Sequence, residues 1–231
     1  MVMSKRSLVS YPVWDKPTRW FHWINLICVA ALAAVGIAIL YKQELGVTRD
    51  GKILLITTHV WLGYLFAVNL AWRIIWAFIG NKQARWSAIL PFQTGYGAAF
   101  KTYLRELIQG DVRPYLGHNP IARLSISILL VLLVLEATTG LVLAGSAIDY
   151  PPFGHWIAAR IAASRSFEHT YLAPLWTIHR WNFYAIVIVS AFHVAGVVLT
   201  ELREGGGIIS AMFTGNKVFD RQPRDDISGR K

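Results

Sequence analysis

Four long segments dominated by apolar residues run along the chain, separated by polar and charged stretches. They cover residues 20–41, 54–79, 121–145 and 176–200. An α-helix needs about 20 mostly apolar residues to cross the ~30 Å hydrocarbon core of a bilayer. The pattern therefore predicts an all-α integral membrane protein, with a four-transmembrane-helix bundle in residues 1–204 and a tail in residues 205–231.

The composition supports this class. Apolar residues make up 55% of the chain and charged residues only 16%, whereas a soluble domain carries about 25% charge. A disordered chain and an ordinary soluble globule are excluded. The only cysteine, Cys28, cannot form an internal disulfide, a c-type haem attachment or a four-cysteine metal site.

The chain has a net charge of +10, and its Lys and Arg residues are distributed unevenly among the segments outside the spans. The N-terminal arm, the 80–120 loop and the residues that follow the fourth span hold 15 of these residues, and the 42–53 and 146–175 loops hold five. The positive-inside rule then predicts that both termini and the 80–120 loop are cytoplasmic. Because the charge is explained by topology and no nucleic-acid motif is present, we expect no nucleic-acid partner.

Two of the loops carry short helical patterns. An amphipathic piece near residues 98–109 is compatible with a helix on the membrane surface. A second short helix is expected over residues 155–164 of the outer loop.

Histidines are the main candidates for chemistry, since polar groups inside spans are costly and mark bound groups. His22 lies near the inner start of the first span, and His59 near the outer start of the second. His179 and His193 lie at the outer and inner ends of the fourth span. Their separation of 14 residues is roughly 40° short of four helical turns and about 21 Å along the axis. The two rings therefore share one face, with one histidine at each membrane level.

This placement predicts two histidine pairs, His22 with His193 at the inner level and His59 with His179 at the outer level. Six-coordinate haem b needs two axial imidazoles on opposite sides of its ring, so we expect two noncovalent haem b groups. A zinc site needs ligands that converge on one ion, which histidines about 21 Å apart cannot provide. A proton relay through the histidines remains an alternative.

The spacing of the histidine pair recurs in the other spans and selects further candidates for cofactor binding. Gly36 follows His22 at this same spacing, so it is expected at the outer level, where it leaves room for a macrocycle edge. Arg73 follows His59 at the same spacing and is expected at the inner level, where it can pair with haem propionates. Gly63 lies one turn after His59.

Other polar residues at or inside the spans allow two interpretations each. Arg19 and Arg123 either anchor the inner interface or hold inner-haem propionates. His118, in Gly117-His118-Asn119-Pro120, belongs either to a turn before the third span or to a contact with a quinone headgroup or a propionate. Glu136, inside the third span, either makes a structural hydrogen bond or carries protons.

Several stretches, in order along nearly the whole chain, match a known family. They are 13–23 (VWDKPTRWFHW), 58–64 (THVWLGY), 117–120 (GHNP), 139–141 (TGL), 179–193 and 212–217 (MFTGNK). The sequence resembles the bacterial di-haem cytochrome b561-type proteins and the related membrane cytochrome b subunits of nickel–iron hydrogenases. The early Arg-x-x-His-Trp and the spacing of the His179–His193 pair are the specific parts of the match.

The resemblance implies that His22, His59, His179 and His193 are the axial ligands of two b haems. It also implies a multi-pass protein of the bacterial cytoplasmic membrane that transfers electrons between a quinone pool and a periplasmic partner. That partner is a c-type cytochrome or a hydrogenase-like protein, and the Trp14–Arg19 opening looks closer to the forms associated with small c-type cytochromes.

We expect an electron-transfer subunit, with quinone oxidoreductase activity as a further option. A quinone site is expected around His22, Arg73, His118 and Arg123, and the 146–175 loop is expected to dock the partner. Two alternatives stay open: a superoxide:quinone oxidoreductase that needs no protein partner, and a haem-bearing membrane anchor of a redox complex.

Overall fold

A computed structural model describes residues 8–148, 150–164 and 166–225 of the chain. Lys5, Arg6, Arg165, Arg230 and Lys231, which contribute to the predicted charge bias, lie outside the described residues. The elements in order are β1 (Val9–Pro12), α1 (Lys16–Leu40), α2 (Arg49–Ile79), α3 (Trp86–Ile89), α4 (Tyr96–Gln109), α5 (Pro120–Ile148), α6 (Gly154–Ala163), a π-helical turn (Glu168–Leu172), α7 (Ala173–Glu204), α8 (Ile208–Thr214) and β2 (Asn216–Phe219).

The four predicted spans are confirmed as α1, α2, α5 and α7, each of which is long and apolar enough to cross a membrane. The helices extend a few residues beyond the apolar segments, because polar residues at the ends continue the helical backbone past the hydrocarbon. The two short helices predicted in the loops are also present, as α4 and α6.

Large apolar side chains point outward from the long helices. About two-thirds or more of each of the following side chains is exposed on the protein surface: Trp20, Val68, Phe78, Val131 and Phe192. Such faces are unfavourable in water and are expected where a helix meets lipid. Together with the four spans, they define a multi-pass membrane protein.

The chain forms two compact units, and each long helix contributes residues to both. The first unit contains the described residues up to Trp20, Arg73–Leu129 and the described residues from Val189 onward. The second unit contains Phe21–Trp72 and Leu130–Ile188.

A two-stranded antiparallel sheet in the first unit adds to the predicted all-α architecture. In it, β1 pairs with β2, with Val9 opposite Phe219 and Pro12 opposite Asn216. Gly215 precedes β2 with a φ of +90°, and its carbonyl accepts hydrogen bonds from the backbone N–H groups of Val13 and Trp14. A Cβ at Gly215 would lie 2.8 Å from the Trp14 carbonyl oxygen, so this junction requires glycine.

Asp15 organises the start of α1. Its Oδ1 accepts the backbone N–H of Thr18 at 3.0 Å, which caps the helix. Its Oδ2 accepts Trp76 Nε1–H at 3.0 Å and the backbone N–H of Asn81 at 3.3 Å. Burial alone would raise the pKa of Asp15, but these hydrogen bonds lower it below its usual value. One carboxylate thus joins the start of α1 to the end of α2.

Lys217 secures the loop before α5. Its side chain is only 3% exposed, and Nζ donates to the carbonyls of Tyr115 at 3.2 Å and Gly117 at 3.1 Å. Burial lowers the pKa of this amine to about 8. In this unit, then, residues from the tail hold the backbone beside His118.

Candidate functional site

The second unit brings together His59 on α2 and His179 on α7, the two histidines that the spacing pairs. Their ring centroids lie 6.4 Å apart and the ring planes are nearly perpendicular, at 82°. Nδ1 of His59 is buried and has no hydrogen-bond partner among the residues that the structure describes. A buried imidazole nitrogen of this kind is costly in apolar surroundings and suits metal ligation.

The separation of the rings fits two axial ligands on one metal ion. An imidazole nitrogen ligates a first-row metal at ~2.0–2.1 Å, and the ring centre lies roughly 1.1 Å further, so two opposed imidazoles have centres about 6.3 Å apart. The observed 6.4 Å agrees with this value. The donor set is therefore suited to the bis-imidazole ligation of haem iron.

Two glycines lie against these imidazoles. A Cβ at Gly36 would lie 3.4 Å from His59 Cε1, and a Cβ at Gly140 would lie 3.3 Å from His179 Cε1. Gly36, predicted to make room for a macrocycle edge, is thus in close contact with the imidazole itself. A Cβ at Gly63 would meet nothing within 4 Å.

Polar side chains from α5 surround His179. Thr139 Oγ1 lies 2.9 Å from His179 Nδ1, and Glu136 Oε1 lies 3.4 Å from His179 Nε2. Asn182 Nδ2 donates to Glu136 Oε2 at 2.6 Å and to the Leu132 carbonyl at 2.9 Å. Glu136 therefore makes a structural hydrogen bond between two helices.

Sequence reasoning missed the roles of Thr139 and Asn182, although a signal was present. Asn182 follows His179 by three residues and Thr139 follows Glu136 by three. Positions three apart share a helix face, so both belong beside the residues already singled out.

The histidines predicted for the other level are placed differently. His193 lies in the first unit, where Ser125 Oγ is 3.5 Å from its Nδ1. His22 lies in the second unit, with its ring edge-on to Trp23 at 5.3 Å between centroids. The pairing of His22 with His193 therefore stays a prediction.

His118 lies in the first unit at the turn before α5, with its Nδ1 shielded from solvent. Its ring lies 4.7 Å from that of Trp14, and its carbonyl accepts a hydrogen bond from Arg123 Nε at 3.3 Å. Burial, reinforced by the positive charges of Lys217, Arg123 and Arg73, lowers the pKa of His118 to about 3. The imidazole is neutral at pH 7.

The turn itself is held by Asn119, whose Oδ1 accepts the backbone N–H of Ala122 at 2.8 Å. This contact caps the first turn of α5. Its Nδ2 donates to Tyr103 Oη at 2.8 Å, which links the turn to the amphipathic helix α4.

The three arginines singled out in the sequence all belong to the first unit. An Nη of Arg19 donates to the Phe213 carbonyl. Arg73 is only 5% exposed, and the carboxylate of Asp15 partly offsets its charge. These cations and the neutral His118 make a region that can take an anionic or carbonyl oxygen.

Metal binding by a compact cluster is not supported by the side-chain arrangement. Across residues 8–148, 150–164 and 166–225, no group of three or more His, Cys, Asp and Glu side chains is close enough to hold one ion.

Membrane-spanning helices with partly buried histidines, two of them with ring centroids 6.4 Å apart, are typical of membrane proteins that hold haem. The family model described as prokaryotic cytochrome b561 matches residues 13–215, and the chain belongs to this family. It is accordingly a membrane b-type cytochrome, which implies haem b and a role in electron transport.

Curated relatives cover nearly the same length. The chain is 26% identical over 229 residues to a protein named "Probable Ni/Fe-hydrogenase B-type cytochrome subunit" from Rhodobacter capsulatus, covering 94% of this chain and 84% of the relative. A protein of the same name from Rhizobium leguminosarum bv. viciae is 28% identical, with 91% and 90% covered. The "Probable Ni/Fe-hydrogenase 1 B-type cytochrome subunit" of Escherichia coli (strain K12) is 27% identical, with 93% and 94% covered. No solved structure matches the chain significantly.

Proposed function

We propose that this chain is a di-haem cytochrome b that carries electrons across a bacterial cytoplasmic membrane between a quinone pool and a periplasmic redox partner. The observation that carries the proposal is the geometry of His59 and His179, whose ring centres lie 6.4 Å apart. Two axial imidazoles require about that distance.

The ligands are assigned by level. His59 and His179 hold one haem b, and His22 and His193 hold the other. When bound, each haem cycles between ferric and ferrous iron and so passes one electron at a time. The protein supplies ligation, a dry environment and nearby polar groups that set the reduction potential.

The arginines of the first unit suit the polar edge of this arrangement. Arg73 is buried, and Arg19 and Arg123 are partly exposed. We assign all three to propionate oxygens, because guanidinium groups form strong charge-assisted hydrogen bonds to carboxylates. His118 is neutral, so it can donate to or accept from a quinone headgroup without adding charge. The quinone site is therefore assigned to this unit.

The redox partner that we favour is a nickel–iron hydrogenase, because the relatives that match over most of their length carry that subunit name. The expectation of a c-type cytochrome depended on the Trp14–Arg19 opening. In this structure Asp15 caps α1 and Trp14 packs against His118. Asp15 and Trp14 thus have structural roles within the protein. The Trp14–Arg19 segment therefore does not discriminate between a c-type cytochrome and a hydrogenase as the partner.

Haem stoichiometry in protein purified in detergent tests the proposal. A pyridine haemochrome assay on the wild-type chain should give two b haems per chain, and His179→Ala should give one. His169→Ala is the matched control, because His169 is exposed and precedes α7, and it should keep both. Folded protein without haem would overturn the proposal and favour a proton relay or an anchor role.

Partner choice needs a second measurement in membranes. Haem reduction by hydrogen, in the presence of a co-expressed hydrogenase and not in its absence, is the expected result. Reduction by superoxide without any protein partner would favour the superoxide:quinone oxidoreductase instead.

A further inference from the structure

Two hydroxyl side chains of α5 match the two histidines of α7 in spacing and in contact. Ser125 and Thr139 have the same separation along the chain as His179 and His193. Thr139 contacts His179 in the second unit, and Ser125 contacts His193 in the first. Since this separation is close to four whole helical turns, each helix presents its pair on one face.

The Thr139 hydroxyl lies within hydrogen-bond distance of two backbone carbonyls and of His179 Nδ1. Its Oγ1 lies 2.8 Å from the Leu135 carbonyl and 3.1 Å from the Glu136 carbonyl, and a carbonyl can only accept. When the single hydroxyl proton is donated to either carbonyl, Oγ1 accepts from His179 Nδ1, which lies 2.9 Å away. A neutral imidazole has one N–H, so Nε2 of His179 keeps its lone pair.

Ser125 repeats the arrangement with a longer contact. When its Oγ donates to the Ala122 carbonyl at 3.1 Å, it is placed to accept from His193 Nδ1, which lies 3.5 Å away. A contact at this distance is at the outer limit of a hydrogen bond and weaker than one at 2.9 Å.

We propose that Thr139 and Ser125 are positioning residues for the haem ligands His179 and His193. Each hydroxyl holds its imidazole as the Nδ1–H tautomer, fixes the ring plane and makes Nε2 a stronger donor to iron. Partners of this kind on the distal nitrogen of a ligand orient it and raise its basicity. The inference rests on the proposed function, because it takes the two histidines to be axial ligands.

The surroundings of His179 restrict its ring from other directions. Gly140, next to Thr139, is close enough that an added Cβ would lie 3.3 Å from Cε1. Glu136 lies at the opposite nitrogen, with Oε1 3.4 Å from Nε2, and Asn182 holds the other carboxylate oxygen. Thr139 is thus the side chain in contact with Nδ1.

Thr139→Val tests the proposal, with Thr139→Ser as the conservative variant and Thr138→Val as the matched control. Thr138 is adjacent and exposed, and its hydroxyl donates to carbonyls of its own helix. Thr139→Val should keep two haems but raise the midpoint potential of the haem held by His179. It should also release that haem about 10-fold faster, the lower end of what loss of such a partner costs.

Thr139→Ser should restore the wild-type potential and low-spin EPR signal, and Thr138→Val should leave both unchanged. Ser125→Ala should shift the other haem in the same direction by less, because its contact is longer. Identical potentials and haem-release rates in Thr139→Val, Thr138→Val and wild type would overturn the inference. If His179→Ala keeps both haems, the ligand assignment itself fails, which separates the two claims.

A second measurement applies if Thr139→Val does not insert or fold. In wild-type protein reduced to the diamagnetic ferrous state, ¹⁵N NMR of labelled histidine should show His179 Nδ1 bearing a proton. A deprotonated Nδ1 would overturn the proposal without any variant.

Discussion

The two histidines of α7 have different surroundings. His179, in the second unit, faces a second imidazole and is enclosed by a hydroxyl, a glycine and a carboxyl held by Asn182. His193, in the first unit, has a serine at 3.5 Å, and that unit also holds Arg73, Arg123 and Lys217. One helix thus carries two histidines, one beside a hydroxyl and a carboxyl group and the other in a unit that holds Arg73, Arg123 and Lys217.

This difference indicates that the two units have different roles. In the proposed function, the second unit holds and orients one pair of haem ligands, whereas the first unit supplies positive charge and the neutral His118. Positive charge favours the reduced form of a nearby haem. We expect two separate midpoint potentials, with the haem of His193 the higher.

Removing His193 is expected to have the largest effect. His193→Ala should abolish the haem that it ligates and leave the His59–His179 haem with its wild-type spectrum. The measurement is haem per chain together with low-temperature reduced spectra. Equal loss of both haems from folded protein would contradict the independence of the two sites.

Arg73→Gln tests the cations of the first unit. Loss of one charge-assisted hydrogen bond costs ~1.5–3 kcal/mol, so affinity for the haem of that unit should fall roughly 10-fold or more. Its midpoint potential should also fall. Haem titration and redox potentiometry measure both quantities, with the exposed Arg85→Gln as control. An unchanged affinity would remove Arg73 from the site.

Asp15→Ala should destabilise the first unit by about 1–2 kcal/mol, because the helix cap and two further acceptor contacts are lost. Thermal denaturation in detergent measures this loss. Asp111→Ala is the control. The Asp111 side chain is 94% exposed, and its ion pair with Arg221 is long, at 3.9 Å. The His59–His179 spectrum should not change in either variant.

His118 should make stability depend on pH. Its pKa is lowered to about 3 in the fold and is ~6.5 when unfolded, so below pH 6.5 only the unfolded chain gains this proton. Stability should fall by about 1.4 kcal/mol between pH 7.5 and 5.5. His118→Phe should abolish that part of the slope. An equal slope in the variant would show that other groups cause it.

Local patterns were enough to predict the four spans and the two short helices. Uninterrupted apolar runs determine helices in a membrane, and the spacing of two residues on one helix determines the relative direction of their side chains. The proximity of His59 and His179 follows from the same geometry, once spans of alternating direction are assumed.

Contacts between distant segments were not predictable in this way. Strands β1 and β2 have four residues each and lie near opposite ends of the chain, so neither has a local pattern strong enough to reveal its partner. The contact of Thr139 with His179 depends on the register of two helices. The equal spacing of Ser125–Thr139 and His179–His193 was the available signal for it.

The pairing of β1 with β2 also determines which part of the protein can be completed first during synthesis. Val9–Pro12 is synthesised before any spanning helix, yet its partner strand, Asn216–Phe219, follows all four. At a synthesis rate of ~5–20 residues per second, on the order of 10–40 seconds pass between the synthesis of β1 and that of β2. The first unit, with His118 and His193, is therefore completed last, and a nascent chain that stops before residue 216 has four spans but an unfinished first unit.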